Sequence, residues 1–283
     1  MKLLSFSTEY QDKLGVLVGD KIAVITSSSL PSKMMDLIQA GPKVWNQVKA
    51  VLKSGKVQWL DSSSVKILAP IRRPGKIVAI GLNYMDHCRE QNVPVPDRPV
   101  VFTKFTTAII GPDEPISWDP NLTSEVDYEV ELGVVIGKKT RRVSVDQALD
   151  YVFGYTIIND ISARDLQFSD KQWVRAKSLD TFCPFGPVIV TADEIPNPQN
   201  LHLSCKLNGE IMQNSSTSEM VFGVAELISR LSQAFTFEPG DIISTGTPDG
   251  VGIYRKPQVF LKDGDQLSLE IEGIGHLENH VKL

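Results

Sequence analysis

Several signatures that would assign a function at once are missing from this 283-residue chain. Cysteine occurs three times, as Cys88, Cys183 and Cys205, and never as a Cys-x-x-Cys pair. An odd, widely spaced set supports neither a disulfide framework nor a zinc knuckle. Buried free thiols in a reducing compartment are the expectation. No apolar run approaches the ~18 residues of a membrane span. Met1 to Tyr10 lacks the apolar stretch of a secretory signal and reads as a strand. The expected compartment is the cytoplasm, or the mitochondrial matrix if a transit peptide precedes the chain. The net charge is −5, with no basic stripe to serve as an electrostatic footprint for nucleic acid. The glycine-rich stretch Ser244–Gly252 carries no Gly-Lys-Ser/Thr and no Gly-x-Gly-x-x-Gly spacing, so it is neither a P-loop nor a dinucleotide fingerprint. A Gly-x-Ser-x-Gly nucleophile elbow is also absent.

What is present is a chain with 42% hydrophobic residues, enough for one large domain or one large plus one small. Residues 1–70 read as a small N-terminal α/β unit. Its strands fall over Lys2–Phe6, Gly15–Val18 and Ile22–Ile25, with a turn at Gly19-Asp20. One helix starts near Lys33 behind a Ser32 cap, and a second spans Val44–Leu52. The proline-bounded segment Ala69–Gly75 marks the boundary, and residues 71–283 form the second domain. There, strand-like runs dominate: Ile77–Ile80, Val100–Thr103, Val126–Ile136, Gly154–Ile158, Pro187–Val190, Leu201–Leu207, Ile242–Thr245, Gln258–Leu261 and Gln266–Ile271. Two helix candidates, Val145–Tyr151 and Val224–Ala234, interrupt these runs, too few to alternate with strands in a doubly wound sheet. The fold class is therefore mainly β (α+β), with closed or folded-over sheets.

The most informative stretch is Val126–Ile136. Residues two apart share a strand face, so Val126, Tyr128, Val130, Leu132, Val134 and Ile136 form an apolar face and Asp127, Glu129 and Glu131 line the other. Strands disfavour acidic residues, and like charges in a row repel. A solvated face is one outcome; compensation by a hard cation is the other. Carboxylate oxygens without a His or Cys cluster suit Mg²⁺, Mn²⁺ or Ca²⁺ rather than zinc. Alternation offers Asp127, Glu129 and Glu131 equally as ligands. Asp160, just after the strand Gly154–Ile158, is a third-ligand candidate and at least as good an N-cap.

His87 and Glu90 stand at i and i+3 of a helix expected to start near Tyr84, so they share a face. A carboxylate on one imidazole nitrogen fixes the tautomer and raises the basicity of the other; a surface ion pair has the same spacing. His276 and His280 are read as surface residues in strand and tail, where four-residue spacing is not expected to place them on one face. Lys104 and Lys177 lie in apolar, aromatic-containing segments, and each is a candidate for meeting a substrate carboxylate.

Four separated motifs together resemble the fumarylacetoacetate hydrolase superfamily: Gly81-Leu-Asn-Tyr-Met-Asp-His87-Cys-Arg-Glu90, Asp127-Tyr-Glu129-Val-Glu131-Leu132, Asn159-Asp160-Ile-Ser-Ala-Arg164-Asp165 and Thr245-Gly-Thr247-Pro-Asp-Gly-Val-Gly252. The resemblance covers about residue 70 to the C-terminus. It implies a mixed β-roll, a homodimer, one divalent ion (Mg²⁺, else Mn²⁺ or Ca²⁺), and a small 2-oxo acid as substrate. Matched residue by residue, the implied metal ligands are Glu129, Glu131 and Asp160. The implied catalytic residues are His87, Glu90 and Lys177, and Gln167 and Thr247 are implied substrate contacts beside Lys104.

Two departures bear on substrate. Acylpyruvate-cleaving members carry Arg where Leu82 stands, and many have Lys-Pro where this chain has Lys104-Phe105. The segments 87–96, 180–187 and 255–262 are similar to the animal mitochondrial branch linked to oxaloacetate tautomerisation. The implied chemistry is stabilisation of an enolate, as in a tautomerase or decarboxylase of oxaloacetate. The alternatives are hydrolysis of a C–C bond in acylpyruvates and an inactive paralogue that binds metal and 2-oxo acid.

Overall fold

The computed structural model describes residues 1–8, 11–25, 30–55 and 57–283. Its main feature is a twelve-stranded sheet. Along the sheet the order is Gln58–Asp61, Lys21–Val24, Asp12–Val18, Lys2–Ser7, Cys183–Thr191, Val152–Asn159, Val130–Ile136, Ile242–Ser244, Ile77–Gly81 and Val100–Lys104. Lys66–Leu68 and Ile109–Ile110 attach to it laterally. A second sheet of four strands runs Glu210–Ser216, His202–Leu207, Gln266–Ile271, Gly275–His280. The pair Val126–Asp127 and Ser162–Ala163 stands alone. Among the described residues the longest helices are Pro42–Lys53 and Val224–Ala234. The expected mainly β, α+β class is what is found.

The central strand explains why the acidic face is not solvated. All seven residues of Val130–Ile136 are buried. Val130, Leu132, Val134 and Ile136 join a core shared with Leu203, Leu269 and the helix residues Leu227 and Ile228. Val135 points into a second core with Leu3, Val16, Leu37, Ile38 and Phe185. Apolar layers thus cover both faces of the sheet, and each fully buried aliphatic side chain contributes about 1.5–3 kcal/mol. Glu131 is enclosed between these layers at 1% exposure.

The turns behave as their residues require. Asn208 and Gly209 adopt φ values of 52° and 84°, the geometry of a tight hairpin turn, between His202–Leu207 and Glu210–Ser216. Several boundaries differ from expectation. The first helix begins at Met34, with Lys33 rather than Ser32 in the capping position and no side-chain cap. The first strand is Lys2–Ser7, and Glu9 and Tyr10 lie outside the described residues. Val145–Tyr151 is α-helical only to Ala148 and then 3₁₀. Gln258–Leu261 is not a strand; Val259 and Leu261 donate single backbone bonds to Gly252 and Val126 without a ladder. His276 and His280 sit on the strand Gly275–His280, where spacing by four does place both on one outer face.

The long acidic strand is also broken, at Tyr128-Glu129. Three consecutive backbone N–H groups there donate to side chains instead of to a neighbouring strand: Tyr128 to Asp127, Glu129 to Asn159 and Val130 to Gln213. Across the Ala69–Gly75 junction the sheet is continuous, because Lys2 and Leu3 pair with Val190 and Ile189.

Candidate metal centre and catalytic cleft

Two adjacent antiparallel strands bring the carboxylates together. Glu131 lies opposite Ile158, and the backbone N–H of Asp160 donates to the carbonyl of Glu129 at 2.9 Å. One ligand oxygen from each of Glu129, Glu131 and Asp160 lies within 4.8 Å of the others, and all three residues are buried. Asp160 caps no helix: the following one begins at Arg164. Lys104 and Lys177 hold Asp160 instead, at 2.5 and 3.0 Å.

Each carboxylate has a different setting. Glu129 receives Lys177 Nζ at 2.7 Å and Arg164 Nη2 at 2.8 Å. Burial alone would raise its pKa, but Lys177 and Arg164 outweigh burial and hold it at about 2. Glu131 has no cation of its own. It accepts from Ser244 Oγ at 2.5 Å and from the Gly246 amide at 3.0 Å. Burial, then the charges of Asp160 and Glu129, push it up to about 8. Gly246, at φ 97°, makes this contact where a Cβ would meet Asn83 Cβ at 2.9 Å. Four buried carboxylates, Asp127, Glu129, Glu131 and Asp160, thus face three buried cations, Lys104, Arg164 and Lys177. An all-oxygen donor set with one carboxylate in excess fits a hard divalent cation.

Asp127 is not part of that set. Its oxygens accept from Arg164 Nε at 2.9 Å and from the Gly252 and Ile253 amides at 2.8 and 3.1 Å. Asp127 and Arg164 therefore tie the glycine-rich loop to Glu129.

The opposite wall comes from the helix Met85–Gln91. His87 Nδ1 lies 2.9 Å from Glu90 Oε2, and the Gly250 amide donates to Glu90 Oε1 at 2.9 Å. Gln91 Nε2 is 2.6 Å from His87 Nε2, and Tyr254 donates its hydroxyl to Gln91 Oε1 at 3.1 Å. His87, Gln91, Glu129, Glu131, Lys177 and Tyr254 line one cleft. Leu82, Arg164, Gln167, Phe168, Trp173 and Thr247 also line it.

The expected substrate contacts divide. Gln167 lines the cleft, and its Oε1 is taken by Arg164 Nη1 at 2.9 Å, which turns its amide N–H groups outward from that pair. Thr247 also lines it, but its hydroxyl already donates to the Val130 carbonyl and accepts from Gln213. Lys104 does not reach the cleft. It is 1% exposed, and its ammonium is spent on Asp160 and on the carbonyls of Ile161 and Lys177. Its apolar segment is a core position behind Asp160, which is why the substrate role expected from sequence does not fit.

Gln213 had no signal in the sequence. It sits on the second sheet, accepts from the Val130 amide, and donates to Thr247 Oγ1 and the Pro248 carbonyl. It pins the strand break to the glycine-rich loop. Gln213→Leu is expected to destabilise the protein by about 1–3 kcal/mol, the cost of an unpaired buried amide, as read from urea denaturation. An unchanged midpoint would show that the break is held by other contacts.

Residues 76–282 match the family of the fumarylacetoacetate (FAA) hydrolase C-terminal domain. Among curated proteins, the chain is 45% identical over 289 residues to oxaloacetate tautomerase FAHD2A, mitochondrial, of Bos taurus, covering 99% of this chain and 91% of that one. It is 44% identical to the fumarylacetoacetate hydrolase domain-containing protein 2 homolog of Dictyostelium discoideum, covering 97% and 94%. Among solved structures, fumarylacetoacetate hydrolase from Exiguobacterium antarcticum superposes with a TM-score of 0.89 at 38% identity, covering 100% and 99%. Maleylpyruvate hydrolase from Sphingobium sp. SYK-6, solved with manganese(II) and pyruvate, gives 0.83 at 31% identity with the same coverage. Matching motifs, sheet and carboxylate cluster lead to one conclusion: this chain belongs to the fumarylacetoacetate hydrolase family.

Proposed function

We propose that this protein is a divalent-metal-dependent enzyme of small 2-oxo and β-keto acids, and that its reaction is keto–enol tautomerisation of oxaloacetate. The observation that carries the proposal is the cleft itself. A buried carboxylate trio with one uncompensated charge faces a histidine–glutamate pair across a single cleft. The relatives named oxaloacetate tautomerase, at 43–47% identity, supply the substrate.

Glu129, Glu131 and Asp160 would hold the ion, with Mg²⁺ proposed and Mn²⁺ or Ca²⁺ as substitutes. When bound, such an ion would act as a Lewis acid, stabilising the negative charge that develops on the 2-oxygen of the enolate. The chain's own residues then have defined tasks. With Nδ1–H donating to Glu90, His87 presents the lone pair of Nε2 to the cleft. There it takes the proton from one tautomer and returns it at the other position, carbon 3 or the 2-oxygen. Glu90 stabilises the imidazolium between these events. Lys177 keeps one N–H beyond those given to Glu129 and Asp160 for the substrate oxygen that becomes negative. Phe102, Phe168 and Trp173 give the cleft an apolar stretch of wall.

Hydrolysis of a C–C bond is the second reading. The same His87–Glu90 pair is suited to activating water, and the manganese- and pyruvate-bound neighbour is a maleylpyruvate hydrolase. Against it, Leu82 offers this cleft no charge where acylpyruvate-cleaving members carry Arg. A homodimer and a mitochondrial location are part of the proposal, the second because the relatives are so named. Among the described residues no helix is long and apolar enough to cross a membrane. We also propose a division into residues 1–70, a small N-terminal unit joined to the rest through the shared sheet, and the 71–283 catalytic part.

The test follows enol absorbance and pyruvate release from oxaloacetate, with and without EDTA. Loss of enol without pyruvate, abolished by EDTA and restored by Mg²⁺, is the expected result. Pyruvate release identifies a decarboxylase, cleavage of a β-diketo acid a hydrolase, and activity indifferent to EDTA removes the metal. His87→Ala is expected to lower kcat by about a hundredfold or more with the fold intact.

A further inference from the structure

Oxaloacetate has two carboxylates, and the residues discussed so far meet only one of them. The end with the 2-oxo group belongs beside Glu129, Glu131, Asp160 and Lys177. The distal carboxylate, two carbons beyond the 2-oxo carbon, has to be met on the facing wall. That wall carries no cation of its own. Among the described lining residues the lysine and arginine are Lys177 and Arg164, both already committed to the carboxylates. What the wall offers is a set of neutral donors: the Gln91 amide and the Tyr254 hydroxyl, joined by their own hydrogen bond at 3.1 Å. The Tyr254 ring stands edge-on to His87 at 6.2 Å between centroids, so both donors sit beside the proposed base.

We propose that Gln91, supported by Tyr254, determines specificity by binding the distal carboxylate of a C4 substrate. This rests on the oxaloacetate reading above. Without substrate, Tyr254 directs the Gln91 carbonyl away and its N–H group toward His87 Nε2, at 2.6 Å. The base is thus capped until an anion enters. On entry the Gln91 N–H and the Tyr254 O–H turn to the incoming carboxylate and release Nε2 for proton transfer.

The same contact selects the reaction. Decarboxylation breaks the C3–C4 bond, releases CO₂ and leaves the electron pair on the pyruvate enolate, which takes a proton at C3. Hydrogen bonds to the C4 carboxylate stabilise the charge that this step must disperse, so they hold the substrate to tautomerisation. A neutral amide also binds the carboxylate without adding a fourth cation to the balance already present.

The experiment uses the Mg²⁺-loaded protein and its Gln91→Leu and Tyr254→Phe variants. Affinities are measured by calorimetry for oxaloacetate, for 2-oxobutyrate (the same chain without the distal charge) and for oxalate. Wild type is expected to prefer oxaloacetate over 2-oxobutyrate by about tenfold or more, the usual worth of a hydrogen bond to a charged group. Gln91→Leu should remove most of that preference, leave oxalate and 2-oxobutyrate affinities unchanged, and raise KM for oxaloacetate with kcat nearly kept. It should also raise pyruvate release relative to enol loss. Tyr254→Phe should move the same readouts in the same direction by less. Preference retained in Gln91→Leu overturns the proposal, as does a fall in kcat with KM unchanged, because Gln91 would then act only through His87. Equal weakening of all three ligands overturns it as structural damage. If wild type binds oxaloacetate with this preference but never turns it over, the tautomerase reading fails while the role of Gln91 stands.

Discussion

Asp160→Ala is expected to reduce turnover by about a thousandfold or more and to destabilise the fold by about 3–5 kcal/mol. The first effect follows from losing one of the three carboxylates proposed to hold the cation. The second does not depend on metal at all. Asp160 is fully buried and accepts from two ammonium groups, Lys104 at 2.5 Å and Lys177 at 3.0 Å. Lys104 is itself fully buried, and its remaining partners are carbonyl oxygens, which cannot balance its charge. Removing one member of a buried ion pair strands the other, and this costs more than removing both. Lys104→Met combined with Asp160→Ala is therefore expected to recover part of the lost stability while activity stays absent. Urea denaturation in EDTA separates the stability effect from metal binding. If Asp160→Ala unfolds at the wild-type midpoint under those conditions, Lys104 does not depend on Asp160 as the geometry requires.

Glu131→Gln is expected to behave in the opposite way: little change in metal-free stability at pH 7, but a fall of about a hundredfold or more in metal affinity and activity. Without metal, Glu131 is held at about 8 against an ordinary value of 4.5, by burial first and then by Asp160 and Glu129. It is therefore mostly protonated at neutral pH, and glutamine mimics that state while still accepting from Ser244 and Gly246. The pH dependence has a definite sign. Between 4.5 and about 8 the folded state binds a proton that the unfolded state has released. Metal-free stability from this group is thus full below 4.5 and is lost as pH rises toward 8. Glu129, held at about 2, contributes in the other sense: its stabilisation is present above 4.5 and is lost as pH falls toward 2. In wild type, binding a divalent cation at pH 7 should release about one proton, and apparent affinity should climb with pH until about 8. Calorimetry in buffers of different ionisation enthalpy measures that proton. Its absence would show that Glu131 is ionised before metal binds, and its persistence in Glu131→Gln would assign the proton to another group.

Glu129, Glu131 and the His87–Glu90 pair were legible as candidates because each rests on local spacing, although alternation offered Asp127 equally and only the resemblance set it aside. Period two on a strand and period three on a helix are geometric facts about the backbone. Asp160 was less so, since a residue after a strand caps a helix as readily as it binds an ion, and only the resemblance chose between them. Lys104 was misplaced for a related reason. A lysine in an apolar segment reads as a cleft residue or a solvated one, and its actual state, enclosed behind Asp160, depends on what packs over it. Gln213 and Tyr254 gave no signal of their own, because their partners are 83 and 163 residues away.

The sequence by itself determined the strand-rich class, the hairpin turn at Asn208-Gly209, and the set of candidate carboxylates and imidazole from which a site could be drawn. These depend on propensity, alternation and residue type, all carried by a few neighbouring positions. Only the tertiary structure decided how the charges are balanced: which cation holds Glu129 and Asp160, why Glu131 is left to a proton or a metal, and where the strand breaks so that both walls of the cleft meet. Those outcomes are set by burial between two cores and by hydrogen bonds between distant segments, and neither is a property of a local stretch of chain.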